Sequence, residues 1–186
     1  KTGSDATTIS IRVARAYTGK VKVARCGYHG WHDWCVEVKG GIPEKFYEDV
    51  IEFHYNDLDQ LEDILKANAN DMAAIIVTPV GHPLAAEVQM PKPGYLEGVR
   101  KLADKYGCVL IFDEIRSGFR CSLGGAQELF GVTPDLSTFG KAMANGYPIA
   151  ALVGKREVMD VLTKDVFLSS TFFPNSDAQI AALKTI

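Results

Sequence analysis

The sequence predicts an α/β protein, a three-layer αβα sandwich built on a mostly parallel sheet, and three observations carry that expectation. Short apolar runs, "VKVAR", "MAAIIVT" and "CVLIFDE", alternate with longer stretches of helical periodicity, which is the spacing of βαβ units. Within those runs "AAIIV" and "VLIF" are continuously apolar rather than alternating, as a strand covered on both faces requires. The 186 residues, 47% of them hydrophobic and 23% charged, suffice for one real core. No internal repeat or low-complexity linker divides the chain, so one domain over residues 1–186 is expected.

From the amino end, "GSDATTISIRVARAY" reads as a helix that Ser4 or Asp5 can cap, with Ile9, Val13 and Ala14 or Tyr17 as its apolar stripe. Its first amides, the close approach that Gly3 allows and the Ser4 hydroxyl make a candidate phosphate cradle. An ordinary capped helix satisfies the same residues. After the strand "VKVAR" comes "GYHGWHDW", where Tyr28, His29, Trp31, His32 and Trp34 form either a stacking platform or core and interface packing. His29 and His32 lack further ligands at metal spacing, so no metal site is expected.

Helical patterns over about 57–69 and 94–106 enclose the strand "MAAIIVT". The segment "CVLIFDEIRSGFR" then delivers Asp113 and Glu114 at the carboxyl end of a buried strand, the edge at which open α/β sheets bind ligands. Neighbouring strand residues point to opposite sides, so one carboxylate can enter a pocket while the other faces elsewhere. The alternative is a pair of acids that cap the next element or pair with Arg116 or Arg120. Finally, "LSTFGKAMANGYP" sets Lys141 between Gly140 and Ala142 in what otherwise reads as buried strand and tight turn. A buried ammonium is costly unless paired or deprotonated, so this lysine either reaches solvent or works as an amine.

The net charge of -3 is mixed in sign along the chain, with no basic run to follow a nucleic-acid backbone or an anionic membrane. The apolar stretches are too short to span a bilayer and no leader pattern opens the sequence, so a cytoplasmic protein is expected. Cys26, Cys35, Cys108 and Cys121 have neither zinc-knuckle pairing nor disulfide-scaffold density, and are expected as free buried thiols. The chain opens abruptly on helix-entry residues and stops within the apolar helical pattern "AQIAALKTI", as a piece of a longer chain would.

A phosphate cradle, an acid at a strand end, an aromatic face and a glycine-flanked lysine are together what a pyridoxal 5'-phosphate site requires. "IFDEIRSGFR" followed by "GGAQELFGVTPDLSTFGKAMANGYPIAALVG" resembles the signature of class III (subgroup II) aminotransferases of PLP fold type I, the group that includes glutamate-1-semialdehyde aminomutase. "GSDATTISIRVARAYTG" resembles the phosphate-loop helix of that family, "GYHGW" its ring-stacking segment and "STFFPNSDAQIAAL" its later phosphate contact.

The resemblance implies Lys141 as the Schiff-base amine and proton carrier, and Asp113 as the partner of the pyridine nitrogen. It implies Tyr28 and Ile115 on the two ring faces, Gly3 and Ser4 on the phosphate, and His29 within the cofactor site. Thr171 would reach the phosphate of a neighbouring subunit in a homodimer with shared active sites. The substrates implied are a small-molecule amino donor and a carbonyl acceptor, with an aminomutase or a non-catalytic fragment as alternatives. Two departures stand out: Thr78-Pro79 where many members have Glu-Pro, and Pro174-Asn175-Ser176 where Gly-Asn-Pro is usual. The chain would then be the large cofactor-binding domain, without the amino-terminal segment and the small carboxy-terminal domain that grip substrate.

Overall fold

The computed structural model describes residues 1–81, 87–173 and 175–186. Its single sheet runs in the order β2-β1-β3-β4-β5-β6, made of β1 (Lys22–Cys26), β2 (Val50–Glu52), β3 (Met72–Val77), β4 (Val109–Asp113), β5 (Leu136–Phe139) and β6 (Ala151–Gly154). β1 through β5 are parallel, and β6 returns antiparallel beside β5.

The pleat of the central strands sorts their side chains into two cores. Ala74, Ile76, Val109, Ile111 and Leu136 pack against Ile11, Val13 and Ala14 of α1 (Gly3–Thr18). Ile75, Val77, Leu110 and Phe112 pack against Leu61 and Leu65 of α2 (Leu58–Ala67) and Leu96, Val99 and Ala103 of α3 (Tyr95–Tyr106). The αβα sandwich is therefore present, and the unbroken apolar runs are explained by strands buried on both sides, each large side chain contributing roughly 2 kcal/mol. The short helices α4 (Gly125–Phe130) and α5 (Arg156–Met159) and the closing helix α6 (Ser176–Thr185) complete the chain.

Three local expectations are corrected. The cap of α1 is Thr2, not Ser4 or Asp5: the Thr2 hydroxyl accepts from the Asp5 amide at 3.2 Å while the Asp5 carboxylate accepts from the Thr2 amide at 2.8 Å. This reciprocal box starts the helix earlier than the sequence suggested and places Ser4 inside the first turn. Tyr17 is exposed and plays no part in the stripe, because the helix turns its Ile11, Val13 and Ala14 to the sheet. Of the cysteines, Cys26, Cys35 and Cys108 are buried free thiols, whereas Cys121 is exposed. Burial pushes the Cys26 and Cys35 thiols up to about 12 and the Cys108 thiol up to about 11, so they behave as packing groups.

Candidate active site

The parity that buries Val109 and Ile111 on the α1 side carries Asp113 to the same side, and Glu114 to the other. Asp113 is buried. Its Oδ2 lies 2.8 Å from His29 Nδ1, and its Oδ1 accepts from the Ile115 amide and from the Thr138 hydroxyl, each at 3.2 Å. A carboxylate oxygen only accepts, so against ionised Asp113 the Nδ1 of His29 carries the proton. Glu114, wholly buried, accepts from the amides of Ala126 and Gln127 at 3.0 and 2.9 Å and from the Ser117 hydroxyl, and so caps α4. The two acids thus divide the two roles that the sequence left open. Neither Arg116 nor Arg120 forms an ion pair among the described residues, and Arg120 instead donates to the Arg116 carbonyl at 2.8 Å.

His29 is anchored from α1, where the Thr7 hydroxyl donates to its carbonyl at 2.7 Å. Its ring lies within 8° of parallel to Trp34, with centroids 6.5 Å apart. Its Nε2 is buried and has no hydrogen-bond partner. Trp31 is 69% exposed and stands outside this arrangement. Among the described residues no group of three His, Cys, Asp or Glu side chains could hold a metal ion.

At the amino end of α1 the capping box occupies the Asp5 amide and leaves those of Gly3 and Ser4 without partners inside the helix. The Ser4 hydroxyl accepts from the Trp31 amide at 3.3 Å. Gly30 passes so near that a Cβ there would stand 2.3 Å from the Ser4 oxygen, on a backbone with φ of 113°. Ile115 is wedged between this helix start and the turn before Lys141. Its side chain lies 3.1 Å from where a Cβ on Gly3 would be and 3.2 Å from one on Gly140.

Lys141 opens a short 3-10 turn directly after β5, with a left-handed φ of 43°. A side chain in that region is strained by about 1–3 kcal/mol, a feature common at functional sites. The residue is exposed, although the stretch before it is buried through Gly140: β5 and Gly140 lie inside, and the turn then carries the side chain outward. Its amine is nevertheless held below the ordinary lysine value, by desolvation first and then by the charges of Arg116 and Arg120, with Asp113 opposing. Because the residue is exposed the desolvation is partial. Arg116 stands over the half-buried ring of Tyr28, with Cζ 5.5 Å from its centroid.

Thr171 is exposed, as are Phe172 at 63% and Phe173 at 64%, so the two phenylalanines do not pack into this chain's own core. Lys1 Nζ sits 4.4 Å above the Phe172 ring. Pro174, on which the altered loop expectation partly falls, lies outside the described residues.

The structure thus brings Gly3, Ser4, His29, Asp113 and Ile115 together at the carboxyl edge of the sheet, with Tyr28 and Lys141 at its rim. Thr171 stands on a separate exposed segment. The sequence reading missed Thr138, Gly30 and Arg116. A threonine within the buried run "LSTF" and a glycine two residues after Tyr28 were the available signals for the first two. For Arg116 only its place after the acidic pair was visible.

An open parallel sheet carrying an anion-ready helix start, a buried carboxylate and an amine at one edge suits the class of enzymes that bind a phosphorylated cofactor through a lysine. The family model described as aminotransferase class-III matches residues 1–186, and the chain belongs to that family. It is 80% identical over its whole length to the 3-aminobutyryl-CoA aminotransferase of Cloacimonas acidaminovorans, covering 45% of that protein. It is 41% identical, over 99% of its length and 46% of the relative's, to the glutamate-1-semialdehyde 2,1-aminomutase of Syntrophobacter fumaroxidans. Among solved structures, the FumI protein of Sphingopyxis sp. MTA144 in its PLP internal aldimine form superposes with a TM-score of 0.95 at 34% identity, over 100% of this chain and 45% of that one. An omega-transaminase from Sphaerobacter thermophilus gives 0.90 at 30% identity, over 99% and 47%. The chain therefore spans about half the length of the relatives it matches.

Proposed function

We propose that the complete protein transfers an amino group between a small-molecule amino donor and a carbonyl acceptor, with pyridoxal 5'-phosphate as cofactor and residues 1–186 as its large cofactor-binding domain. The observation that carries the reading is the pairing of Asp113 with Thr138 across β4 and β5, which sets the buried carboxylate beside the strand that ends in the Lys141 turn.

The residues present fit the cofactor group by group. The free amides of Gly3 and Ser4 suit its phosphate. Asp113, fixed by three hydrogen bonds, suits a protonated ring nitrogen. Tyr28 and Ile115 offer surfaces for the ring faces, and His29 holds Asp113 in place. When bound, the cofactor supplies an electron sink for the bond broken at the substrate carbon. Lys141 Nζ would hold the cofactor and, as a free amine, would carry the proton to and from the reacting carbon, work that its lowered proton affinity favours. Thr171 reaches the phosphate site of a second copy in a homodimer with shared sites, a role that the exposure of Phe172 and Phe173 supports.

Identity of 80% to a 3-aminobutyryl-CoA aminotransferase supports a β-amino acyl thioester as the donor. The second reading, an aminomutase, draws on the 41% relative, and a turnover that needs no separate oxo acid would favour it. The buried free thiols support a reducing, cytoplasmic setting, and among the described residues no helix is long and apolar enough to cross a membrane.

The test is borohydride reduction of the cofactor-loaded complete protein followed by peptide mass spectrometry. A pyridoxyl group on Lys141 is expected. Its presence on another lysine, or its absence from folded protein, overturns the assignment.

A further inference from the structure

Among the described residues no acid forms an ion pair with the arginines of this site. Arg116 is half-buried beside the rim, yet its side chain makes no hydrogen bond or ion pair among the described residues. Its backbone carbonyl is occupied by Arg120, which brings a second guanidinium to the same short segment. Asp113, the acid nearest in sequence, has both oxygens committed to His29, Ile115 and Thr138. Glu114 points to the other side of the sheet and is saturated by α4 and Ser117.

A guanidinium laid over an aromatic ring is oriented by it while its donor fork remains free in the plane. Such a fork matches a carboxylate with two parallel hydrogen bonds. The ring beneath Arg116 is Tyr28, a candidate cofactor-facing residue, so the fork is held at the rim where substrate enters.

We propose that Arg116 is a substrate-positioning residue that receives the carboxylate of a 2-oxo acid acceptor. This rests on the aminotransferase reading and deepens it by naming the residue that selects the acceptor. Arg116 directly follows Ile115, whose side chain is wedged between Gly3 and the Gly140 turn that precedes Lys141, so the guanidinium belongs to the same corner of the site as the amine. A thioester donor carries no carboxylate at its reacting end, so the Arg116 fork bonds the acceptor and makes no corresponding bond to the donor.

The experiment compares wild type, Arg116→Gln and Arg116→Lys in the complete cofactor-loaded protein, with pyruvate and an uncharged aldehyde as alternative acceptors and a β-amino acyl thioester as donor. Retained visible absorbance establishes that each variant holds cofactor before any acceptor is added. If wild type itself shows none, the aminotransferase reading fails, independently of Arg116. With cofactor bound, Arg116→Gln is expected to raise KM for pyruvate by about tenfold or more, the loss of hydrogen bonds to a charged group. KM for the aldehyde and for the donor should stay within about twofold, and Arg116→Lys should recover part of the loss because it keeps the charge without the fork. An unchanged KM for pyruvate, an equal loss with both acceptors, or a loss confined to the thioester donor overturns the proposal.

Discussion

His29 and Asp113, 84 positions apart in the chain, meet in the interior through a 2.8 Å hydrogen bond between Nδ1 and Oδ2. Both are buried, so the bond operates where the dielectric is low and an unpaired charge would be expensive. Together with the Ile115 amide and the Thr138 hydroxyl it fixes the carboxylate in one orientation.

Replacing Asp113 by Asn keeps the shape and removes the charge. In the complete protein the variant is expected to retain cofactor but to lose roughly a hundredfold or more in the donor half-reaction, as a well-placed charge partner is worth a few kcal/mol in a transition state. Stopped-flow absorbance of that half-reaction is the measurement. A rate within a few-fold of wild type removes Asp113 from its role.

Gly30 is a backbone requirement rather than a side-chain one. An alanine there would have to hold φ near 113° and push its Cβ to 2.3 Å from the Ser4 oxygen. Gly30→Ala is therefore expected to cost about 2 kcal/mol of stability and to weaken cofactor binding by displacing the first turn of α1. Denaturant unfolding and cofactor titration read the two effects separately. If neither moves, the close approach of Gly30 to Ser4 has no part in the site.

The exposed segment around Thr171 leads to a prediction about assembly. Thr171→Ala should weaken cofactor binding by about 1.5–3 kcal/mol through one lost hydrogen bond to a charged group. The complete protein should have the solution mass of a dimer, covering Phe172 and Phe173. A monomer that holds cofactor equally well with and without the hydroxyl refutes the shared site.

Much of this arrangement was legible from residue order. "AAIIV" and "VLIF" read as strands covered on both faces, because they are short, bounded by helical patterns and apolar at every position, leaving no face for water. Asp113 stood out because it follows the apolar run "VLIF" directly, and Lys141 because it follows the strand "LSTF" after a single glycine, and the ends of parallel strands converge on one edge. Thr2 was passed over as a cap because Ser4 and Asp5 compete for the same position, and a capping box is decided by which hydroxyl geometrically reaches which amide.

What the sequence determined by itself is the alternation of strands and helices, the edge at which the polar groups gather and the identity of the candidate amine. Periodicity and chain direction are local properties, and they suffice for those. Only the tertiary structure decided that Asp113 turns toward α1 and Glu114 toward α4, that His29 holds Asp113, and that no acid among the described residues pairs with Arg116. Those outcomes depend on strand register and on side chains that meet across many intervening residues, where a shift of one position would have exchanged the two faces.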